Sequence, residues 1–253
     1  QSGACGSCRV RLLKGEVEYP FDPPAMSRPA LEAGYILMCL ARAKTDLTLE
    51  LHQPAQLENL RPQQLPCRVV SKDMLSHDVV GLKLKLPKGR EFNWLPGQYI
   101  DFLLDDGRRR SFSLASASNG ETFDLHLRVT PQGRFVHWVL DQMPDRAILQ
   151  FEGPLGAFYV REDSQRPILM MAGGTGIAPI KAMLEDLIAR GTRRPLHLYW
   201  GVRAQRDLYL TDLIAQWQAL HPALKYTPVL SEPDEGWAGA RGFVHEALLR
   251  DYP

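Results

Sequence analysis

The sequence has 253 residues, which is enough for two or three domains. Hydrophobic residues make up 45% of the chain, as in ordinary globular proteins, and no apolar run approaches the ~20 residues that a transmembrane helix needs. The net charge is +1 with acidic and basic residues mixed along the chain, so we expect neither nucleic acid nor a membrane as a partner. Four cysteines, three of which share one spacing pattern, favour a reducing, cytoplasmic environment over a disulfide framework.

The first motif consists of Cys5, Cys8 and Cys39. A plant-type [2Fe–2S] site has the pattern C-x₄-C-x₂-C…C, and these residues match its second, third and fourth cysteines. The first cysteine of the pattern would directly precede Gln1. We therefore expect the chain to begin just after its first cluster ligand and, as it stands, to hold a cluster poorly.

Spacing alone leaves two other interpretations of these cysteines open. A C-x-x-C pair can be a redox dithiol, but that motif usually opens a helix, whereas residues 9–18 predict a strand, a turn and a second strand. Zinc would need a further ligand, and the nearest histidine, His52, fits the end of a strand better. The iron–sulfur interpretation is therefore favoured.

Prolines mark the next boundary. Residues 53–66 contain three prolines among Gln and Asn residues, so we expect a first domain over residues 1–55 and a linker over residues 56–66. Residues 67–161 then predict a domain of six short strands, at residues 68–70, 79–86, 99–104, 111–114, 123–129 and 148–151, with one helix at residues 135–143. Turn residues separate the runs, which favours an antiparallel barrel or sandwich.

The hydrophobic pattern changes in the last region, residues 162–253, from short alternating runs to an alternation of strands and helices. Strands are predicted at residues 167–172, 196–201 and 226–230, and helices at residues 177–190, 210–220 and 244–249. Alternating strands and helices predict a parallel sheet, in which Met170 and Met171 should both be core. A doubly wound domain normally has more strands, so we also expect the chain to stop before this domain is complete.

A glycine-rich segment joins the first of these strands to its helix. Gly173-Gly174-Thr175-Gly176 can let the backbone approach a ligand closely, and the N–H groups of the following helix favour an anionic phosphate. Pro179 stands where a dinucleotide fingerprint would have its third glycine, and the second strand ends at Arg203 without an acidic residue for a ribose. A nucleotide loop of unusual type is favoured over a purely structural turn.

Two further strands carry polar residues with two possible roles. On residues 110–113, strand alternation places Arg110 and Phe112 on one face and the two serines on the other. Such an arginine could bind a phosphate, although an exposed arginine on a strand is usually solvated. His126 and Arg128 share a face of the next strand, where a surface pair is the default and a cofactor contact the alternative.

Together these motifs resemble the iron–sulfur flavoprotein reductases of the ferredoxin–NADP⁺ reductase superfamily, among them proteins described as CDP-6-deoxy-Δ3,4-glucoseen reductases and reductase components of oxygenases. The resemblance covers the whole chain and rests on residues 4–8, 38–42, 96–99, 110–113, 152–156, 173–179 and 199–201. It implies an incomplete β-grasp [2Fe–2S] ferredoxin domain, a six-stranded antiparallel Greek-key β-barrel that binds FAD, and an incomplete α/β parallel-sheet domain that binds NAD(P)H.

The resemblance also implies roles for individual residues. Arg110 would bind the FAD pyrophosphate, and Ser113 would be the catalytic residue near flavin N5. The other residues expected to bind FAD are Ser111, Phe112, His126, Arg128, Val129, Gly133, Arg134 and Phe135. Those expected to bind the pyridine nucleotide are Gly174, Thr175, Gly176, Ala178, Pro179, Trp200, Gly201 and Arg203. Cys5, Cys8 and Cys39 would ligate the cluster.

The implied function is electron transfer. Hydride would pass from NAD(P)H to FAD, and single electrons would then pass through a [2Fe–2S] centre to a partner protein, a dehydrase or an oxygenase component. The alternatives are a flavin reductase that releases reduced flavin and a nucleotide-sensing subunit with a non-functional cluster. NADH is favoured over NADPH, because Asp207 would repel a 2′-phosphate near Arg203 and Arg206.

Overall fold

The structure is a computed structural model that describes residues 3, 6, 8–50, 55–58 and 60–253. Cys5 and His52, which the sequence analysis singled out, lie outside the described residues. The chain divides into two compact units, Gln1–Asn59 and Leu60–Pro253. None of the helices that the structure describes has the length and hydrophobicity of a membrane-spanning segment.

The first unit is a small antiparallel structure. Its elements are β1 (Arg9–Lys14), β2 (Val17–Glu18), α1 (Arg28–Glu32), β3 (Tyr35–Leu37), β4 (Arg42–Ala43) and β5 (Thr48–Glu50). Strand β1 lies between β3 and β5, and β2 pairs with β4. The strand, turn and strand predicted after the cysteine pair are therefore confirmed, and they pair with different partners rather than with each other.

The second unit begins with a six-stranded antiparallel barrel. Its elements are β6 (Gln63–Ser76), β7 (Val79–Lys85), β8 (Tyr99–Leu103), β9 (Arg109–Ser113), β10 (Thr122–Arg128), α2 (Arg134–Asp141) and β11 (Ile148–Leu155). The strand order is β10-β7-β6-β11-β8-β9, and a bridge between Leu114 and Leu125 closes the sheet. Phe92, Phe123 and Phe151 pack edge to face in its core. The predicted barrel and its six strands are confirmed.

Strand β6 starts earlier than the sequence predicts. It begins at Gln63, inside the segment expected to be a linker, and it includes Pro66. The register shows the reason: Pro66 lies opposite Gln150 of β11, whereas pairing with β7 starts only at Arg68. At Pro66, β6 therefore has a partner strand on one side only. The sheet needs no hydrogen bond from the nitrogen on the open side, so proline is tolerated there.

The rest of the second unit is a parallel α/β domain. Its elements are β12 (Ile168–Gly173), α3 (Ile177–Ala189), β13 (Leu196–Val202), α4 (Thr211–Leu220), β14 (Leu224–Leu230), β15 (Ala240–Arg241) and α5 (Val244–Asp251). The strands lie in chain order and are parallel throughout, as predicted for the first three, and the two-residue β15 was not predicted.

The two methionines of β12 differ in burial. Met170 is buried in the core, as predicted, but the same prediction for Met171 is wrong, because that residue is 49% exposed. Successive residues of a strand point to opposite faces of the sheet. Met170 lies on the sheet face with the larger core. Met171 lies on the opposite face, where the buried core among the described residues consists only of Tyr199, Val229 and Ala247, so Met171 is left partly exposed.

Candidate functional site

A cleft of about 220 Å³ lies between the barrel and the parallel domain, within the second unit. The parallel domain contributes the carboxyl ends of β12 and β13, and the barrel contributes the turn between β6 and β7 and the end of β10. Open parallel sheets bind their ligands outside the carboxyl ends of their strands. The cleft-lining residues include Asp78, Arg128, Gly173, Gly174, Thr175, Gly201, Arg203, Asp207 and Tyr209.

The glycine-rich segment forms one wall of this cleft. Gly174 has a φ of +51°, and a Cβ placed on it would lie 2.9 Å from Nη1 of Arg128, so only glycine fits without a shift. The indole Nε1–H of the fully buried Trp200 donates to the Gly174 carbonyl oxygen at 2.9 Å and holds the loop against β13. The loop therefore presents its backbone to the cleft.

The first turn of α3 follows this loop. Ala178 and Pro179 are buried, while Thr175 is half-buried and Gly176 exposed. Pro179 is the third residue of α3, where a backbone N–H has no intrahelical partner in any case, so proline costs no hydrogen bond. Gly201 lies under α5, because a Cβ there would come within 2.6 Å of the Val244 side chain.

Arg128 and Arg203 share one carboxylate across the cleft. Arg128 on β10 donates from Nε and Nη2 to Oδ2 of Asp78, at 3.2 and 3.0 Å. Arg203, which follows β13, donates from Nη2 to the same oxygen at 3.2 Å. Burial alone would raise the pKa of Asp78, but the charge and hydrogen bonds of Arg128 outweigh it and hold that pKa below its usual value.

Asp207 is the second acidic residue of the cleft. Its Oδ2 accepts the Ala204 N–H at 3.1 Å and lies 3.8 Å from Nε of Arg203, while its buried Oδ1 accepts no hydrogen bond from the described residues. His77, Asp78 and Asp207 could together offer three ligand atoms to a cation. The two guanidinium groups on Asp78 already neutralise it, so this cluster does not suit a metal ion.

His126 is buried, which corrects the expectation of a surface pair with Arg128. Its Nδ1 is hydrogen-bonded to the Tyr209 hydroxyl at 3.0 Å, and Tyr209 in turn packs edge to face on Trp200. Burial, followed by the positive charge of Lys181, lowers the pKa of His126 to about 3. The imidazole is therefore neutral at physiological pH and links the barrel to the parallel domain.

The segment expected to bind flavin lies on β9. Arg110 is half-buried, donates to the Arg109 carbonyl oxygen at 2.9 Å, and has no carboxylate within 4.0 Å among the described residues. Ser111 faces the other side, where its hydroxyl donates to Asp101 at 2.6 Å. Ser113 is half-buried opposite Tyr99 of β8. An arginine without an acidic partner suits an anionic ligand, whereas the Ser111 hydroxyl is already engaged.

The start of α2 meets this segment through aromatic contacts. The ring of Phe112 lies 5.6 Å from that of the buried Phe135. Arg134 is exposed, and the Gly133 N–H donates to the Thr130 carbonyl oxygen at 2.9 Å. Val129 is partly buried against the barrel core. The Gly133 and Arg134 N–H groups at the start of α2 are thus already engaged with backbone carbonyl oxygens, and the Phe135 side chain is buried among aromatic rings.

The cysteine loop belongs to the first unit. The backbone N–H of Cys39 donates to Sγ of Cys8 at 3.4 Å. Gly3 and Gly6 have φ angles of +66° and +68°, a left-handed conformation that lets the loop turn tightly. Iron–sulfur clusters are held by cysteine thiolates and tuned by hydrogen bonds to their sulfurs, so Cys8 and Cys39 fit such a site. Cys5 lies outside the described residues.

Three residues of the second unit were missed by the sequence analysis. Asp78 and Tyr209 line the cleft, and Lys181 of α3 is buried between the parallel domain and the barrel. The Lys181 ammonium donates to the Ala115 carbonyl oxygen at 2.8 Å and to Glu185 at 2.6 Å. A lysine in the apolar stretch of α3 was a detectable signal, whereas Asp78 looked like an ordinary turn residue before a strand.

Comparison with known families finds three family matches along the chain. Residues 1–44 match the 2Fe-2S iron-sulfur cluster binding domain, residues 66–159 the oxidoreductase FAD-binding domain, and residues 170–253 the oxidoreductase NAD-binding domain. The three matches support iron–sulfur, FAD and NAD as the cofactors of this chain.

The relatives that the chain matches are named as reductases or as reductase components. The chain is 38% identical to the CDP-6-deoxy-L-threo-D-glycero-4-hexulose-3-dehydrase reductase of Yersinia pestis, over 100% of this chain and 76% of the relative. It is 33% identical to a terephthalate 1,2-dioxygenase reductase component from a Comamonas species, over 98% and 74%. Among solved structures, the Amycolatopsis cytochrome P450 reductase matches with a TM-score of 0.72 and 28% identity, over 100% and 77%. The chain therefore belongs to the NAD(P)H-dependent iron–sulfur flavoprotein reductases of the ferredoxin–NADP⁺ reductase superfamily, which transfer electrons through FAD and a [2Fe–2S] centre.

Proposed function

We propose that this reductase takes electrons from NADH and delivers them to a protein acceptor, the dehydrase or oxygenase component of a two-part enzyme. The support is the pair of relatives described above, one named as the reductase of a dehydrase and the other as the reductase component of a dioxygenase. The acidic residues beside Arg203 support NADH over NADPH.

One observation carries the proposed residue roles: Arg128 of the barrel lies directly beside Gly174 of the glycine loop in a single cleft. We assign the FAD pyrophosphate to Arg110, and the flavin ring to the surface around Phe112 and Ser113. We assign the pyridine nucleotide to residues 174–179 and to Arg203.

When bound, the flavin supplies the step from two-electron to one-electron transfer, because it accepts a hydride and releases electrons singly. The chain's own residues bind and orient. Lys181 and Glu185 fix α3 to the barrel just after Ser113, through Ala115 and Ala117. In the proposed role, Ser113 directs its hydroxyl to the edge of the flavin ring. The buried, neutral His126 keeps water and charge out of the interface between the barrel and the parallel domain.

Cys5, Cys8 and Cys39 are the proposed cluster ligands of this chain. Their thiolates must stay reduced to hold iron, which supports a cytoplasmic location. The Cys39 N–H donates a hydrogen bond to Cys8 Sγ and so offsets part of the negative charge on that sulfur. Such a hydrogen bond orients and stabilises a cluster ligand, which supports the proposed role of Cys8.

The assignment of FAD to Arg110 is tested by substitution with a neighbouring control. Losing one charge-assisted contact costs about 1.5–3 kcal/mol, or at least about tenfold in affinity. Arg110→Ala should therefore raise the Kd for FAD, measured by flavin fluorescence, at least tenfold. Arg109→Ala is the control, because Arg109 is exposed and pairs with Glu152 and Asp101 instead.

NADH-dependent reduction of ferricyanide, measured on the same proteins, tests the activity itself. The parent and Arg109→Ala should reduce the dye, and Arg110→Ala should do so only at raised FAD concentration. Equal FAD affinity in the parent and Arg110→Ala would show that the phosphate assignment is wrong, even if dye reduction proceeds.

A further inference from the structure

His126 is a buried polar side chain between two apolar residues of β10. Its neighbours Leu125 and Leu127 are fully buried in the barrel core. Successive residues of a strand point to opposite faces, so the imidazole points out of the barrel. There its Nδ1 is hydrogen-bonded at 3.0 Å to the hydroxyl of Tyr209, which belongs to the parallel domain and lines the cleft. A histidine of the barrel is therefore held by a side chain of the other domain.

The same histidine lies across from Ser113, at the place where the barrel closes. Leu114 and Leu125 form an antiparallel bridge. Extending that register by one residue places Ser113 opposite His126, and residues directly opposite in an antiparallel pair carry their side chains on the same face. The imidazole and the Ser113 hydroxyl therefore share one face of the barrel, where we place the flavin ring.

The hydrogen bond to Tyr209 decides which ring nitrogen of His126 carries the proton. Burial raises the pKa of the Tyr209 hydroxyl, while burial and then the charge of Lys181 lower the pKa of His126 to about 3, so both groups are neutral. A neutral imidazole has one N–H and one acceptor nitrogen. The Tyr209 hydroxyl has no other acceptor among the described residues, so it donates to Nδ1 and leaves the imidazole proton on Nε2.

Nε2 of His126 is then a donor that the chain does not use. It makes no hydrogen bond within the part of the chain that the structure describes, and it is not one of the fully enclosed polar atoms that lack a partner there. Polar groups of buried side chains are nearly always hydrogen-bonded. The remaining N–H is therefore open to an acceptor on a ligand.

We propose that Tyr209 is a positioning residue for the flavin, supplied by the parallel domain: it holds His126 in the tautomer whose Nε2–H donates to an acceptor on the flavin edge beside Ser113. This inference rests on the proposed place of the flavin ring. Accepting a hydride adds negative charge to the ring, and hydrogen bonds to a charged acceptor are the stronger ones. A neutral donor at this place therefore stabilises reduced flavin more than oxidised flavin without burying a charge.

The first measurement is the tautomer of His126, read from nitrogen-15 shifts of histidine-labelled protein at neutral pH, both as purified and after removal of FAD. The His126 signals are those lost in His126→Leu. The parent should show a protonated Nε2 and an unprotonated Nδ1. Tyr209→Phe keeps the ring that packs edge to face on Trp200 and removes only the hydroxyl, so the tautomer with a protonated Nδ1 should appear.

Tyr226→Phe is the matched control. It removes another hydroxyl of the parallel domain, one that has no hydrogen-bond partner among the described residues. The His126 signals should therefore be the same in Tyr226→Phe and in the parent.

The second measurement is the midpoint potential of bound FAD, from anaerobic titration against a dye of known potential. His126→Leu removes the donor, so affinity for reduced flavin should fall about tenfold more than affinity for oxidised flavin, which lowers the potential by about 30 mV. Tyr209→Phe should lower it about threefold on the same scale, or about 15 mV. Adding Tyr209→Phe to His126→Leu should change nothing further, because Tyr209 acts through His126. Tyr226→Phe should leave the potential unchanged.

The inference is overturned if Tyr209→Phe leaves the tautomer or the potential as in the parent, or if the two single shifts add in the double variant. FAD content and thermal melting show that each variant is folded, and His126→Met carries the same expectation if His126→Leu loses its flavin. A parent that binds no FAD, or binds it equally well as Arg110→Ala, shows that the proposed flavin site is wrong. If Arg110→Ala weakens FAD binding and Tyr209→Phe still has no effect, only the inference about Tyr209 fails.

Discussion

Removing the buried charge of Lys181 should destabilise the interface between the barrel and the parallel domain. Lys181 is 9% exposed on α3, and its ammonium is 2.6 Å from Glu185 and 2.8 Å from the Ala115 carbonyl oxygen. Glu185 in turn accepts the Ala117 N–H at 3.3 Å. Lys181→Met keeps the bulk of the side chain and removes both polar contacts, so it isolates their contribution.

The expected cost follows from the exposure of the two partners. Removing one partner of a fully buried ion pair costs about 3–5 kcal/mol. The Glu185 side chain is 28% exposed, so water can hydrate part of its charge, and we expect a loss of about 2–3 kcal/mol including the hydrogen bond to Ala115. For a unit of this size, that loss lowers Tm by about 4–12 °C.

Urea unfolding of Lys181→Met, Glu185→Gln and the double variant measures the coupling between the two side chains. We expect a coupling energy of about 1–2 kcal/mol. Lys88→Met, an exposed loop lysine, should change the free energy of unfolding by less than about 0.5 kcal/mol. In Lys181→Met the pKa of His126, followed by NMR, should rise but stay below its usual value, because burial is its larger cause. A loss below about 0.5 kcal/mol, or no coupling, would refute the role given to this pair.

Two further predictions concern single residues of the barrel. Gly97 has a φ of +106°, and a Cβ there would collide with the Phe158 carbonyl and the Met183 side chain, so Gly97→Ala should lower the free energy of unfolding in urea by about 2–4 kcal/mol. Gly107 is the control, because it has a φ of +75° but open space around it, and Gly107→Ala should lower that free energy by only about 1–2 kcal/mol. Equal losses in the two variants would contradict the packing argument. Burial lowers the pKa of His126 to about 3 in the folded chain, against about 6.5 in the unfolded chain. Between these two pH values the unfolded chain binds one proton more than the folded chain. The free energy of unfolding therefore falls as the pH falls, by up to about 1.4 kcal/mol per pH unit. His126→Asn should reduce the change in unfolding free energy between pH 6 and pH 4, and an unchanged slope would show that His126 is not the group responsible.

Local patterns in the sequence were sufficient for the architecture. The change from alternating runs to strand–helix repeats predicted a barrel followed by a parallel sheet, because burial on one face imposes a period on the residues themselves. The spacing of Cys5, Cys8 and Cys39 indicated an iron–sulfur loop, since ligand geometry restricts how far apart the cysteines of one loop can be. The alternating runs and the Cys5–Cys8 pair lie within short segments, and neither requires knowledge of which elements pack together.

Burial against a distant element was not predictable in this way. His126 looked like a surface residue, and only the arrival of Tyr209 and Lys181 from the parallel domain makes it buried and neutral. Pro66 looked like part of a linker, because its single pairing partner, β11, lies 82 or more residues further along the chain. Such contacts depend on how domains pack, which short-range periodicity does not encode.

The same division holds at the nucleotide site. The sequence alone determined that a glycine loop follows β12 and that Arg203 and Asp207 follow β13, because both motifs sit at strand ends that a parallel sheet brings to one edge. Only the tertiary structure placed Asp78 on Arg203, at 3.2 Å and across a domain boundary. A carboxylate acts on a guanidinium through distance in space, and no spacing along the chain records a contact between residues 125 positions apart.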